Sequence, residues 1–163
     1  MTTPSASPQQ HDVTELINAI ARNTEAGCLG KTLDAYRWKV LADYVQPARF
    51  KQGELVIGQG ELDRRLYFVE SGDLKVNMHT DKGMVHLAIV GPGSVVGEGS
   101  FFSRLARSAS VSAYSDCKVW VMLPAEFDRL SRANAHVALA LSMALGTLMA
   151  TRTLDLAKRV VVI

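Results

Sequence analysis

Glu98 and Arg107 stand nine positions apart in the stretch GEGSFFSRLARSASVSA, Gly97 to Ala113. The segment GEGSFFSR after Val96 is long enough for one or two helical turns, and the first turn of a helix leaves backbone N–H groups free for an anion. Gly99 and Ser100 are small enough to let a ligand approach that backbone, and Arg107 supplies a charge-assisted, bidentate partner for a phosphate. Glu98 repels a phosphate, so it calls for a hydroxyl from which to accept. One ligand satisfies both residues if it carries a phosphate and a hydroxyl on one small ring, as a ribose cyclic monophosphate does. The plainer alternative is an ion pair between Glu98 and Arg107 across a loop.

The elements that must hold this stretch follow from periodicity. DVTELINAIAR, residues 12 to 22, spaces Val13, Leu16, Ile17 and Ile20 as a helix does, with Asp12 as N-cap. NTEAGCLG breaks that pattern. A second helix is predicted from about Thr32 to Tyr44, ended by Pro47. From Arg49 the period changes to that of strands. FKQGELVIGQG, RLYFVESGDLKVNMHT, MVHLAIVGPG, SASVSA and CKVWVML give six or more short strands separated by glycine turns. After Pro124, LPAEFDRLSRAN reads as a short helix and AHVALALSMALGTLMATRTLDLAKR as one long helix, with Val137, Leu141, Ala144, Leu145 and Leu148 on one side.

The predicted fold is therefore mainly β with flanking helices: an antiparallel β-roll or jelly roll, a double-stranded β-helix, with N-terminal helices and a long C-terminal helix. Its expected divisions are a disordered tail over 1–11, N-terminal helices over 12–46, the β-roll over 47–123 with the 97–113 segment inside it, and C-terminal helices over 124–163.

Composition narrows the function. A chain of 163 residues with 48% hydrophobic and 21% charged residues suits a single soluble domain, and a net charge of +2 does not advertise nucleic acid or membrane. The apolar run AHVALALSMALGTLMA is broken by polar residues and is not expected to span a membrane. MTTPSASPQQ lacks the apolar core of a secretory signal. Cys28 and Cys117 are expected to be free thiols in the cytoplasm. His11, His79, His86 and His136 show no metal-ligand spacing, though His79 and His86 could meet across a hairpin, and no nucleophile–base arrangement stands out. Neither a metal site nor an enzyme is expected, and no cofactor.

Gly97-Glu98-Gly99-Ser100-Phe101 followed by Arg107-Ser108-Ala109-Ser110-Val111 resembles the phosphate-binding cassette of the cyclic nucleotide-binding domains found in kinase regulatory subunits, ion channels and catabolite activator-type regulators. The acid-to-arginine spacing is that of the kinase-type cassette, and the resemblance extends over about residues 32 to 158. It implies that Glu98 accepts from the ribose 2′-hydroxyl and Arg107 pairs with the cyclic phosphate. Backbone amides of Gly99, Ser100 and Ser108 would complete the phosphate cradle beside Gly97. In activator-type regulators a Thr-Ser pair on the long helix reaches the adenine, partly across a dimer; the matching positions here are Arg152 and Thr153. Gly99 replaces the usual Leu, Ala106 the usual Pro, and Arg152 the Thr, so Arg152 is expected either to stack on the base or to disturb it.

The resulting expectation is a free-standing, cytoplasmic cyclic nucleotide sensor. Its ligand is cAMP, with cGMP or a cyclic dinucleotide as alternatives, and it forms a homodimer through the long helix. With only VVVI after Arg159, no DNA-reading module is expected, and the output would go to an unknown effector protein. The rival reading is an interaction module that has kept the fold and lost the nucleotide.

Overall fold

The computed structural model describes residues 11–30 and 32–161, the last three by backbone alone. The tail expected over 1–11 lies outside the described residues except for His11, whose ring stands edge-on 5.7 Å from Trp120.

Helix α1 spans Thr14–Arg22. Asp12 sits just outside it, its carboxylate accepting from the Thr14 N–H at 2.9 Å. Helix α2 is shorter than the periodicity suggests, Ala35–Leu41, continued by a 3₁₀ turn over Ala42–Tyr44. Its start is set by Asp34, which accepts from the Arg37 N–H at 2.9 Å. Pro47 does not end it; Pro47 already lies in the first strand.

Eight strands follow: β1 Gln46–Phe50, β2 Leu55–Ile57, β3 Leu66–Ser71, β4 Leu74–Thr80, β5 Gly83–Val90, β6 Val95–Val96, β7 Ser110–Ala113 and β8 Cys117–Met122. Helix α3, Glu98–Ser103, is inserted between β6 and β7. The strands form two four-stranded sheets, ordered β1-β8-β3-β6 and β2-β7-β4-β5, with antiparallel pairing throughout. This is the β-roll that the glycine-punctuated strands predict. Two helices close the chain, α4 Pro124–Ala133 and α5 Ala135–Val161.

The inner strands of the first sheet, β3 and β8, bury side chains on both faces, and the alternation of side chains across a strand divides the core in two. Leu66 and Phe68 of β3, with Trp120 and Met122 of β8, face the helices and pack with Leu16, Trp38, Leu41, Leu130, Leu141 and Leu145. Tyr67, Val69 and Val119, one residue out of phase, point between the sheets and meet Ile57, Leu74, Val96 and Val111. Trp38 meets Phe68 edge-to-face at 5.6 Å, the favoured aromatic geometry. The run LYFV in β3 is thus wholly buried because it serves both cores.

Helix α5 is long and apolar enough over Ala135–Lys158 to cross a membrane by length and composition, which the sequence reading did not anticipate. Its Val137, Leu141, Leu145 and Leu148 nevertheless belong to the helix-side core. The opposite face leaves Leu139 and Met143 more than half exposed. Cys28 and Cys117 are free thiols. Cys117 is buried, and that burial pushes its thiol pKa up, away from the reactive thiolate. His79 and His86 are not cross-strand partners: His79 lies opposite Met84, and His86 opposite Asn77, whose amide oxygen its ring nitrogen meets. Among the described residues no three His, Cys, Asp or Glu side chains form a cluster able to hold a metal.

Candidate functional site

The cassette is built on a glycine and on an arginine that anchors it. Gly97 opens α3 with φ +89°, a region that L side chains rarely adopt. A Cβ there would lie 2.7 Å from the Arg65 carbonyl oxygen and 2.9 Å from an Arg107 nitrogen, so only glycine fits. The helix runs for six residues and closes at Arg104 in the left-handed conformation, φ 61°. Arg64 donates to the Phe101 carbonyl at 2.8 Å, which satisfies a helix-end acceptor with a cation. Phe101 packs edge-to-face on Phe127 of α4 at 5.3 Å, fixing the cassette against the helices.

Arg107 is buried, 4% exposed. Its main chain is zipped to the loop before β3: its N–H donates to the Glu61 carbonyl at 2.8 Å and its carbonyl accepts from the Gly60 N–H at 2.8 Å. That places the guanidinium against Asp63, to which Nε donates at 2.9 Å and a terminal nitrogen at 3.1 Å. The same terminal nitrogen donates to the Arg65 carbonyl at 2.7 Å, and the other to the Gly97 carbonyl at 2.9 Å. A guanidinium has five N–H donors. Four are committed, and one remains for a ligand. The hydrogen bonds from Arg107, opposed by desolvation, hold the Asp63 carboxyl below its usual pKa.

Glu98 is not paired with Arg107. Its partner is Arg152 of α5, which donates to Oε1 and, through its second terminal nitrogen, to the Val95 carbonyl at 2.9 Å. Glu98 and Arg107 therefore have separate partners and face one cavity of about 490 Å³, within the usual range for small-molecule sites, roughly 300–1,000 Å³. Its floor is the cassette, Gly97 to Ser100 and Arg107 to Ala109. Val76, Leu87 and Ile89 of the second sheet supply an apolar wall, and Arg152, Asp155 and Leu156 of α5 stand on another side. The α1–α2 loop, from Asn23 to Cys28, completes the lining.

Of the residues singled out from sequence, Gly97, Glu98, Gly99, Ser100, Arg107, Ser108 and Arg152 all line this cavity. Gly99 faces open space, as a Cβ there would meet nothing within 4 Å, and Ser108 is exposed. Thr153 does not join them. It is exposed on another face of α5, its hydroxyl donating to the Met149 carbonyl at 2.9 Å. Three contributors were not anticipated. Asp63 lies 44 positions from Arg107, and nothing in its own neighbourhood marks it. The 23–28 loop was read only as a break between helices. Leu87 and Ile89 carried a faint signal: they alternate on β5, yet both remain about half exposed.

This β-roll with its cassette-lined cavity defines a nucleotide-binding class of domain, and comparison with known proteins names the class. The family model for the cyclic nucleotide-binding domain matches residues 47–134, more than half the chain, and the chain belongs to that family. It is 34% identical over 83 residues to the cAMP-dependent protein kinase type II regulatory subunit of Drosophila melanogaster, covering 51% of this chain and 22% of that protein. It is 32% identical over 96 residues to the Cyclic AMP receptor protein of Thermus thermophilus, covering 58% of this chain and 44% of that one. The chain thus spans less than half the length of either relative. Among solved structures, a cyclic nucleotide-binding domain from Methylobacillus flagellatus superposes with a TM-score of 0.78 at 20% identity, covering 90% of this chain and 81% of that one.

Proposed function

We propose that this protein is a cytoplasmic cyclic nucleotide sensor that takes cAMP in the cassette-lined cavity and signals through α5 to a partner protein, without catalysing a reaction. The observation that carries the reading is that Glu98 and Arg107 face one cavity while neither is spent on the other. Arg107 keeps one donor for an equatorial phosphate oxygen, the amides of the first turn of α3 and of Ser108 lie beside it, and the second oxygen of Glu98 is available to a ribose hydroxyl. The apolar wall of Val76, Leu87 and Ile89 suits the face of a base. The names of the two relatives support cAMP as the ligand. Because Arg152, Asp155 and Leu156 line the same cavity, a ligand touches α5 directly, which is the differential contact a switch requires. Free Cys28 and Cys117 agree with a reducing compartment.

Self-association through α5 belongs to the same proposal. Leu139, Met143, Gly146, Ala150, Thr153 and Ala157 are all exposed and recur at alternating intervals of four and three, the heptad pattern of a helix seam. Gly146 and Ala150 permit close approach of a second helix. Thr153 then serves the partner's cavity rather than its own, as its place in activator-type regulators implies.

Titration with cAMP, cGMP and cyclic di-GMP, followed by thermal shift and calorimetry, tests this reading. At a hundredfold excess over Kd a specific ligand adds about 2.7 kcal/mol, which raises Tm by roughly 5–10 °C for a chain of this size. A shift with cGMP or cyclic di-GMP alone changes the ligand. No shift with any of them favours the interaction module that has lost its nucleotide, a reading that the internal pairing of Glu98 with Arg152 keeps in view.

A further inference from the structure

We propose that Arg152 is a positioning residue for the sugar-hydroxyl acceptor: it holds the Glu98 carboxylate in place and, in doing so, ties α5 and the α1–α2 loop to the cassette. The inference rests on the reading of the cavity as a nucleotide site, and it reassigns Arg152 from contact with the base to control of Glu98.

Three contacts converge on this one side chain. One terminal nitrogen pairs with Glu98 Oε1, which leaves Oε2 to a ligand hydroxyl. The other donates to the Val95 carbonyl at 2.9 Å, so the guanidinium plane is fixed at both ends. Along its stem it passes Gly27, which has φ +78° and whose missing Cβ would lie 2.7 Å from Arg152 Cγ. Cγ is too near the main chain to swing clear cheaply, so Gly27 and Arg152 are fitted to each other. The loop that carries Gly27 is itself braced. The Asn23 side chain accepts from the Glu25 N–H at 3.0 Å and donates to the Pro92 carbonyl at 3.1 Å, and the Cys28 thiol donates to the Asn23 carbonyl at 3.3 Å. Arg152 is thereby a strut among α5, β6, the cassette and the loop, and all four line or border the cavity.

The consequence for binding is preorganisation. A carboxylate already oriented by a fixed cation loses less freedom when a hydroxyl donates to it. The benefit exists only for ligands that possess that hydroxyl, which distinguishes positioning from general packing. Gly27 offers a second handle on the same strut from outside the cassette, and Gly30 supplies its control: it also has positive φ, +59°, but a Cβ there meets nothing within 4 Å.

The test compares cAMP with its 2′-deoxy analogue by calorimetry on wild type, Arg152→Met, Gly27→Ala and Gly30→Ala. Wild type and Gly30→Ala should prefer cAMP by about tenfold or more, the value of a hydrogen bond to a charged group. In Arg152→Met and Gly27→Ala the preference should shrink to about threefold or less through weaker cAMP binding, with the 2′-deoxy analogue unchanged. Equal weakening of both ligands, or tighter cAMP binding in Arg152→Met, overturns the proposal. Should wild type bind no cyclic nucleotide, the functional reading fails, and the strut is judged by hydrogen exchange alone. Faster exchange over residues 23–28, 95–100 and 148–158 in Arg152→Met and Gly27→Ala, but not in Gly30→Ala, supports it, and unchanged exchange refutes it.

Discussion

Replacing Arg107 by alanine should damage the protein twice, and the two losses are separable. The guanidinium commits two hydrogen bonds to Asp63 and one each to the Gly97 and Arg65 carbonyls, at 2.7–3.1 Å, while 4% exposed. Breaking a buried ion pair costs about 3–5 kcal/mol. Asp63 keeps 27% of its side-chain surface, so water recovers part of that, and about 3 kcal/mol is the reasoned loss. For a chain of this length that lowers Tm by roughly 6–12 °C. The remaining N–H, lost to the phosphate, is worth about 1.5–3 kcal/mol, or ten- to a hundredfold in Kd. Thermal melts and cAMP calorimetry at a temperature where the variant is folded read the two effects. Adding Asp63→Asn to Arg107→Ala removes the stranded charge, so about half the stability should return while binding stays weak. A variant that melts like wild type, or a double variant that regains affinity, would refute the assignment of Arg107 as both anchor and phosphate donor.

Two further outcomes follow from the same geometry. Because Asp63 has a depressed pKa in the folded state, its contribution is present above the ordinary carboxylate value near 4 and fades as pH falls through its folded pKa; Asp63→Asn should flatten the decline of Tm below about pH 4, and an unchanged decline would mean another group governs it. Leu139→Glu with Met143→Glu places charges on the exposed α5 face proposed as the dimer seam, so light scattering should report a dimer for wild type and a monomer for the variant, without loss of Tm beyond that of dissociation; a wild type that is monomeric at high concentration removes the seam's proposed role.

The β-roll was legible because a period of two, interrupted by glycine, leaves few alternatives, and the long helix because Val137, Leu141, Leu145 and Leu148 mark one face. The cassette was legible for a local reason: Gly97, Glu98 and Arg107 lie within one short segment, and their chemistry requires little beyond that proximity. What escaped was whatever the roll brings together from afar. Asp63 reaches Arg107 only because the Arg107 main chain zips to Gly60 and Glu61 in the loop before β3, a pairing with no local signature. Arg152 stood out as a departure that would either stack on the base or disturb it, but its engagement with Glu98 depends on how α5 lies over the cassette. The 23–30 segment gave only its two glycines, Gly27 and Gly30. Gly27 proves to be a packing requirement for a side chain 125 positions away, and sequence order alone could not pair them.

Charge bookkeeping across the cavity bears on which phosphate it accepts. Its charged lining residues are Arg107 and Arg152 against Glu25, Glu98 and Asp155. Both cations are already opposed, Arg107 by Asp63 and Arg152 by Glu98. A phosphate entering here therefore finds directed donors rather than an excess of positive field. The single charge of a cyclic phosphodiester can be met by one guanidinium N–H and the amides of α3. The second charge of a phosphomonoester would face the carboxylates, and among the described residues that line the cavity no cation is left unpaired to offset it. On the proposed reading, selection of the cyclic over the ring-opened nucleotide would arise from neutralisation inside the protein as much as from shape. It should persist at high salt, since contacts in a half-buried cavity are screened far less than surface charges are. If 5′-AMP bound as tightly as cAMP, or if cAMP affinity fell steeply between low and high ionic strength, the cavity would be acting as a general anion trap and the separate pairing of its two arginines would have no bearing on selectivity.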